Sequence, residues 1–217
     1  EEALSQAGEN RVELEKVLHR YQSNPSDSLK YKAARFLIEN MPSYTYYKGK
    51  LLEQYLTFFT LLQEARSKKV YPQAMIDSIR RMYGPFSLDS LQYCKDVVTV
   101  DSAYLCNNID WAFKVWQEQP WGKNVSFADF CEYILPYRIG DETLSYWRED
   151  IYRKYNPLLD SLRASTVLDI EDPLVAARCL CDSLRKRSRF FTTTVPQGLP
   201  HVGPEIAQSV SGSFREF

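Results

Sequence analysis

Residues 11–42 read RVELEKVLHRYQSNPSDSLKYKAARFLIENMP, and this stretch decides the fold class. Its apolar residues recur at intervals of three and four on both sides of the polar turn SNPSDS: Leu14, Val17, Leu18 and Tyr21 before the turn, and Leu29, Ala33, Phe36 and Leu37 after it. This spacing predicts two amphipathic helices, which the short turn joins into an αα-hairpin. Asn10 is predicted to cap the first helix with its side chain.

Helical spacing continues through most of the chain on either side of this hairpin. Predicted helices cover 51–65, 72–83, 101–117, 126–135, 143–155 and 172–187, with a helical restart at 156–157. The last of these helices is predicted to bury Leu174, Ala177, Leu180 and Leu184. Strand-like alternation occurs only in RFFTTTV, residues 189–195. We expect an all-α domain over 1–188, an irregular array of helical hairpins or a bundle, followed by an extended C-terminal segment over 189–217.

The composition excludes two classes of partner. The 217 residues include 27 Lys and Arg against 28 Asp and Glu, a net charge of -1, so no basic field exists to attract nucleic acid. The longest apolar segment, 51–62, is interrupted by Glu53, Gln54 and Thr57, which excludes a membrane span there. The first residue is Glu1, which leads us to expect a removed leader or a trimmed chain.

Few residues have the type and spacing that catalysis or metal binding requires. His19 lies off the apolar stripe of its helix, which predicts a solvent-facing side chain, and His201 has no second ligand at metal spacing. Five cysteines lack CxxC spacing and are interpreted as small buried residues with inert thiols: Cys94, Cys106, Cys131, Cys179 and Cys181. The sequence therefore predicts no catalytic residue, no metal site and no cofactor.

Two short windows are rich in aromatic residues, YTYYKGK at 44–50 and WAFKVWQEQPW at 111–121. Core packing is one explanation, because aromatic side chains dominate helical cores. An aromatic-lined groove for a glycan or a peptide is the functional alternative. The candidate contact surface consists of Tyr44, Tyr46, Tyr47, Trp111, Trp116 and Trp121.

A motif of the kind F-x-E-x-I-L-P-Y-R, followed by a glutamate and a Trp-Arg pair, occupies residues 130–148. Together with GLPHVGPEIAQSVSGSFREF at 198–217, it makes the chain resemble the amino-terminal part of secreted bacterial transglutaminase-like proteins, a branch of the papain-like superfamily. In that branch a helical region precedes the catalytic core. The resemblance spans residues 10–217, and its motif residues are Phe130, Glu132, Ile134, Leu135, Pro136, Tyr137, Arg138, Glu142, Trp147 and Arg148.

The resemblance implies that 189–217 is a connector and the first turn of a truncated transglutaminase-like core. Phe214 stands where the family has its nucleophilic cysteine, with Gly212 before it and Arg215-Glu216 after it. A phenyl ring cannot form a thioester, and the family's catalytic histidine and aspartate lie beyond the nucleophile. We therefore expect this chain, as given, not to be an enzyme.

These observations favour a non-catalytic helical accessory or interaction domain that shapes substrate access to a transglutaminase-like core. Its partner is expected to be its own core or a peptide or protein substrate. One alternative is a part of an active cysteine-dependent acyl transferase or peptidase whose core lies beyond residue 217. Another is an inactive relative that binds peptides or glycans. From the resemblance we expect an exported bacterial protein, a lipoprotein without its leader, in the periplasm or at the cell surface.

Overall fold

The computed structural model describes residues 1–54, 57, 72–84, 91–138, 140, 142–165 and 168–187. Within these ranges the protein is all-α apart from one two-stranded ribbon, which confirms the predicted fold class. In the same ranges, no helix combines the length and the apolar character that crossing a membrane requires. Several predictions fall outside the described residues: most of the 51–65 helix, the 189–195 strand, His201, Phe214 and the whole 189–217 segment.

The described α-helices, in chain order, are α1 (Glu2–Gln6), α2 (Arg11–Gln22), α3 (Ser28–Asn40), α4 (Pro72–Tyr83), α5 (Ser102–Glu118), α6 (Phe127–Asp129), α7 (Trp147–Ser165) and α8 (Pro173–Arg187). The strands are β1 (Thr45–Gly49) and β2 (Leu91–Lys95). Short 3-10 helices lie at Gly8–Asn10, Pro25–Asp27, Met41–Ser43, Asp96–Val98 and Pro120–Asn124. α6 continues directly into a π-helical segment, Phe130–Ile134.

The predicted hairpin of α2 and α3 is confirmed, and α5 packs against both of its helices. The stripe of α2 is buried at Leu14, Val17 and Tyr21. The Tyr21 hydroxyl reaches α5, where it donates to the carbonyl of Cys106 at 3.2 Å and to Oδ1 of Asp110 at 3.1 Å. These three helices contribute most of the main hydrophobic core, so the core is built around the α2–α3 hairpin.

Asn10 does not cap α2 as predicted. The 3-10 helix Gly8–Asn10 leads directly into α2, so Asn10 has helical backbone angles, whereas a capping residue is usually extended. Its side-chain amide instead donates to the carbonyls of Val97 and Val100, both at 3.0 Å. Asn10 therefore ties the start of α2 to the segment that follows β2.

Two carboxylates satisfy the amino-terminal amides of α5, which have no partner within the helix. Asp101 is the capping residue, and its Oδ1 accepts from the amide of Tyr104 at 2.7 Å. Glu13 comes from α2, and its Oε2 accepts from the amide of Ser102 at 3.0 Å and from the Ser102 hydroxyl at 2.5 Å. Lys16 donates to the other oxygen of Glu13. The contact between α2 and α5 is thus polar at both ends, where Glu13 meets Ser102 and Tyr21 meets Asp110, and apolar between them.

The ribbon of β1 and β2 corrects the prediction that this part of the chain contains no strand. The two strands are antiparallel, with Tyr46 opposite Cys94 and Tyr47 opposite Tyr93. Each strand has only five residues, and residues 50–90 lie between them, so no tight-turn signal marks a hairpin. Because the two strands are far apart in the chain, the local periodicity of the sequence does not reveal that they pair.

α7 begins later and ends later than predicted. The sequence suggested a helix over 143–155 and a restart at 156–157, but α7 passes through Pro157 without a break. A proline inside a helix removes one backbone hydrogen bond, at a cost of about 3 kcal/mol. Tyr155 and Leu159, on either side of Pro157, are both buried, and this burial offsets the cost.

α8 buries a different face from the predicted one. Leu174 is 78 % exposed, whereas Ala176 is buried with Leu159 and Ile170 in a second, smaller cluster. Of the predicted stripe, Leu180 packs against this cluster. The turn at 168–172 sets the rotation of α8 about its own axis. The spacing of apolar residues within α8 alone therefore does not show which face is buried.

We predict that the stability supplied by Glu13 disappears in acid. The ammonium of Lys16 and the two donors of Ser102 lower the pKa of the Glu13 carboxyl from 4.5 to about 2. A carboxyl whose pKa is lowered on folding contributes stability above its unfolded pKa and loses it as the pH falls through the folded value. Glu13→Gln should therefore lower the urea unfolding midpoint at neutral pH. The difference from wild type should shrink below pH 4.5 and close near pH 2.

Glu9→Gln provides the control, because Glu9 is exposed on the 3-10 helix that precedes α2. Its difference from wild type should be small at every pH. A Glu13→Gln difference that is independent of pH would contradict this account of the α2–α5 contact.

Candidate functional site

A buried ion pair lies between the ribbon and the segment that follows the π-helical segment. The carboxylate of Asp96 is fully buried, and the side chain of Arg138 is 4 % exposed. Nη2 of Arg138 donates to Oδ1 of Asp96 at 2.8 Å and to Oδ2 at 2.7 Å, while Nε donates to Oδ2 at 3.2 Å. The Tyr137 hydroxyl donates to Oδ2 at 2.5 Å. The carboxylate is thus saturated by donors, which a buried charge requires.

Backbone contacts fix the position of Asp96. It directly follows β2, and its amide donates to the carbonyl of Tyr44 at 3.0 Å, which extends the ribbon by one pair. The guanidinium of Arg138 lies 5.8 Å from the centre of the Tyr46 ring. The ion pair therefore holds the inner face of the ribbon against the body of the protein.

A second arginine binds backbone carbonyl groups instead of a carboxylate. Nε of Arg148 donates to Oδ1 of Asn108 at 2.5 Å, and Nη2 donates to the carbonyls of Ile134 and Pro136, the latter at 2.7 Å. Its guanidinium also lies 4.4 Å from the centre of the Trp147 ring. Burial lowers the pKa of Arg148 to about 10, so it remains a cation at neutral pH. Arg148 fastens the 134–136 segment to α5 and α7.

Three further motif residues are buried or hydrogen-bonded within the fold. Phe130 is buried, and its ring stacks on Trp116 with centres 4.3 Å apart. Nε1 of Trp147 donates to the carbonyl of Tyr137 at 2.6 Å, and Glu142 is buried. Residues 130–148, the motif that carries the family resemblance, thus wrap around α5.

The outer face of the ribbon carries an aromatic pair, of which Tyr93 is exposed and Tyr47 is half-buried. Side chains alternate between the two faces of a strand, so Tyr47 and Tyr93 lie on the face opposite Tyr46. Their ring centres are 5.4 Å apart in an edge-to-face arrangement, and Tyr93 is 61 % exposed. Lys95, on the same face, is exposed. We call Tyr47, Tyr93 and Lys95 the ribbon face.

The structure does not bring the six predicted contact residues together into one surface. Tyr44 is exposed and Tyr47 belongs to the ribbon face, but Tyr46 is 8 % exposed and contributes to packing, which corrects its assignment. The tryptophans are half-buried in three different settings: Trp111 against Tyr152, Trp116 against Phe113, Phe127 and Phe130, and Trp121 against the second cluster. Of the two interpretations of the aromatic windows, core packing therefore describes Tyr46 and Trp116 better than a binding groove does.

A groove with a volume of about 530 Å³ lies between α3 on one side and α6 with the π-helical segment on the other. We call it the α3–α6 groove. Apolar side chains and charged side chains of both signs line it: Lys32, Arg35, Phe36, Glu39, Phe127, Ala128, Asp129, Cys131, Glu132 and Tyr133. The sequence motif drew attention to Glu132 but gave no sign of a groove, because its two walls are nearly 90 residues apart in the chain.

The cysteines are only partly as predicted. Cys106 and Cys131 are buried, and burial raises the pKa of both thiols, that of Cys131 to about 11. Cys94 is half-buried and lies on β2, not on a helix, and Cys181 is exposed on α8. Cys181 is therefore not the buried residue that the sequence suggested. His19 is exposed, as predicted.

No family model, curated protein or solved structure matches this chain. Over the residues that the structure describes, no group of three or more His, Cys, Asp or Glu side chains has the arrangement of a metal site. A functional assignment therefore depends on the surfaces and contacts of the chain itself.

Sequence reasoning missed Asp96, the acceptor at the centre of the network. One signal was present, because Asp96 directly precedes Val97 and Val98 in a stretch, CKDVVTV, that is rich in valine. An acidic residue in such a stretch either faces solvent or is buried with a cation. Nothing in the spacing identifies Arg138, 42 residues later, as that cation.

We predict that thiol reactivity separates the cysteines by burial. A disulfide reagent such as 5,5′-dithiobis(2-nitrobenzoate) reacts with the thiolate, so buried thiols with raised pKa values react slowly. Cys181 should be labelled at the rate of a free cysteine in the native protein, and Cys181→Ser should remove most of this fast reaction. Cys106 and Cys131 should react only after unfolding. Fast native labelling of either residue, assigned by mass spectrometry, would show that their thiols are accessible and activated.

Proposed function

We propose that the helical body is a non-catalytic interaction domain that binds an acidic peptide segment through the ribbon face. The observation that carries the proposal is the edge-to-face Tyr47–Tyr93 pair, in which Tyr93 is exposed and Tyr47 is half-buried. Tyrosine is enriched at protein interfaces, since it offers a large rigid surface and a polar group with little conformational entropy to lose. Two adjacent tyrosines at this position suit an aromatic or aliphatic side chain of a partner.

The charge of the ribbon favours an acidic partner. The two strands contain Lys48 and Lys95 and no acidic residue. Both lysines are exposed, and neither forms an ion pair in the part of the chain that the structure describes. A peptide carboxylate beside the tyrosines would pair with Lys95, which lies on the ribbon face, whereas Lys48 lies on the opposite face with Tyr46 and adds only to the positive charge nearby. Such charge complementarity contributes mainly to specificity and association rate.

The ion pair beneath the ribbon supports this role. Asp96 and Arg138 anchor the inner face, so the outer face is presented on a backbone whose position is fixed. A surface that is ordered before binding loses less entropy when the partner arrives. Binding, not catalysis, also agrees with the contacts of the 130–148 motif, whose arginines are engaged by Asp96 and by backbone carbonyls.

The family resemblance suggests which protein could carry the acidic segment. We propose that the acidic segment belongs to a protein substrate or to the transglutaminase-like core that the resemblance implies. The domain would then position that segment for the core without taking part in bond making or breaking.

A selection from a phage-displayed random peptide library tests the proposal. Peptides enriched on the wild-type chain should contain acidic and aromatic residues. For a selected peptide, Tyr93→Ala should raise the Kd measured by fluorescence anisotropy about tenfold or more, the usual size of an aromatic hot spot. Lys95→Gln should weaken binding less and reduce its dependence on salt.

Tyr133→Ala is the matched control, because Tyr133 is also a highly exposed tyrosine but lies on the α3–α6 groove. It should leave the Kd unchanged. Selected peptides that bind wild type and Tyr93→Ala equally, or a selection that enriches no peptide, would refute a ribbon-face binding site.

A further inference from the structure

The outer edge of β2 carries main-chain groups that point away from β1. The amide of Asp96 donates to the carbonyl of Tyr44, so this pair and every second pair along the ribbon exchange hydrogen bonds. The residues between these pairs point their amides and carbonyls away from the other strand. On β2 they are Leu91, Tyr93 and Lys95, and we call their outward main-chain groups the β2 edge.

Two threonine hydroxyls agree with this orientation and show which groups are open. On β1, the outward carbonyl of Tyr47 accepts from the Thr143 hydroxyl at 3.2 Å, so that edge is partly covered. On β2, the outward carbonyl of Lys95 accepts from the Thr99 hydroxyl at 2.8 Å. The amide and the carbonyl of Tyr93 and the amide of Lys95 have no partner in the part of the chain that the structure describes. The β2 edge is therefore the open side of the ribbon.

Given binding at the ribbon face, on which this inference rests, we propose that the acidic segment adds to the β2 edge as a third, antiparallel strand. Extended main chain matches a row of outward amides and carbonyls, and its hydrogen bonds supply affinity while alternate side chains supply specificity. The residue opposite Tyr93 exchanges two hydrogen bonds with it, as an antiparallel pair allows. The site thus selects a peptide that can adopt a strand.

The ribbon face then predicts the sequence of the segment. Leu91, Tyr93 and Lys95 lie on one face of β2, and their neighbours on an added strand lie on the same face. An antiparallel strand runs from Lys95 towards Leu91, so its residues opposite these three side chains occur at every second position. The expected pattern is an acidic residue, an aromatic or aliphatic residue two positions later, and an apolar residue two positions after that.

Charge favours an acidic peptide over a second copy of the chain on this edge. Each ribbon contains Lys48 and Lys95 and no acidic residue, so pairing two β2 edges would bring the lysines of one copy near those of the other. Like charges brought together disfavour association, and a lysine on an edge strand is one way in which proteins discourage such pairing. An acidic residue opposite Lys95 instead forms a favourable cross-strand pair.

N-methylation of a selected peptide tests the proposal. The peptide is one that binds the wild-type chain and loses affinity in Tyr93→Ala. A single N-methyl group on the residue opposite Tyr93 should raise the Kd about tenfold, because it removes one interchain hydrogen bond. The same group on either flanking residue is the matched control and should change the Kd little, because those amides face away from β2.

Lys95→Pro tests the same contact from the side of the protein. The Lys95 amide does not bond to β1, and its φ of -88° is near the value that proline requires, so the ribbon tolerates this change. Lys95→Pro should weaken binding about tenfold more than Lys95→Gln, which removes the charge and keeps the amide. Circular dichroism melting checks that both variants keep the fold.

The outcomes separate this proposal from the ribbon-face site. Equal effects at all three methylated positions, or equal Kd values for Lys95→Pro and Lys95→Gln, would overturn strand addition and leave a site that binds through side chains. A selection that enriches no peptide, or only peptides insensitive to Tyr93→Ala, would refute the ribbon-face site and the added strand together. A wild-type dimer in sedimentation velocity that Lys95→Pro abolishes would also overturn the proposal and assign the β2 edge to a second copy.

Discussion

The buried carboxylate of Asp96 constrains the rest of the structure, because a charge without water needs donors on every side. Arg138 and Tyr137 supply these donors from a segment 41 and 42 residues later in the chain. To reach Asp96, the 130–148 motif has to wrap around α5, and Arg148 fastens that path by binding backbone carbonyls. On the other side of the ion pair, the amide of Asp96 extends the ribbon. One buried charge thus joins the only two strands described to the helical body.

This arrangement leaves one face of a short ribbon uncovered on an otherwise helical scaffold. The ribbon is a short two-stranded element, which is marginally stable alone and needs packing on one face. The ion pair provides that packing, and the opposite face remains available with its two tyrosines. The α3–α6 groove has a different origin, because α3 belongs to the opening hairpin while α6 and the π-helical segment belong to the motif. The ribbon face and the groove are therefore built from different elements.

The parts of the fold that local spacing determines could be predicted from the sequence. Leu14, Val17 and Tyr21 repeat at helical intervals, so α2 and its hairpin followed from the pattern, as did α5. The ribbon, the Asp96–Arg138 pair and the groove depend on contacts between distant residues, which periodicity does not encode. At Pro157, too, contacts beyond the local sequence decide the outcome. The proline is a local signal for a helix break, but the burial of Tyr155 and Leu159 outweighs it. Of the predicted contact residues, Tyr47 lies on the ribbon face, while its partner Tyr93 was missed because the pairing of the strands was unknown.

A double-mutant cycle on Asp96 and Arg138 tests whether the buried ion pair organises the structure. Asp96→Asn keeps an oxygen for the Tyr137 hydroxyl while removing the charge, and Arg138→Met keeps most of the side-chain volume. Each single substitution should lower the free energy of unfolding by about 3–5 kcal/mol, because it leaves one buried charge unpaired. The double variant should recover most of that loss, which gives a coupling energy well above about 0.5 kcal/mol. Losses that simply add would mean that the two residues act independently and that the ion pair does not organise the structure.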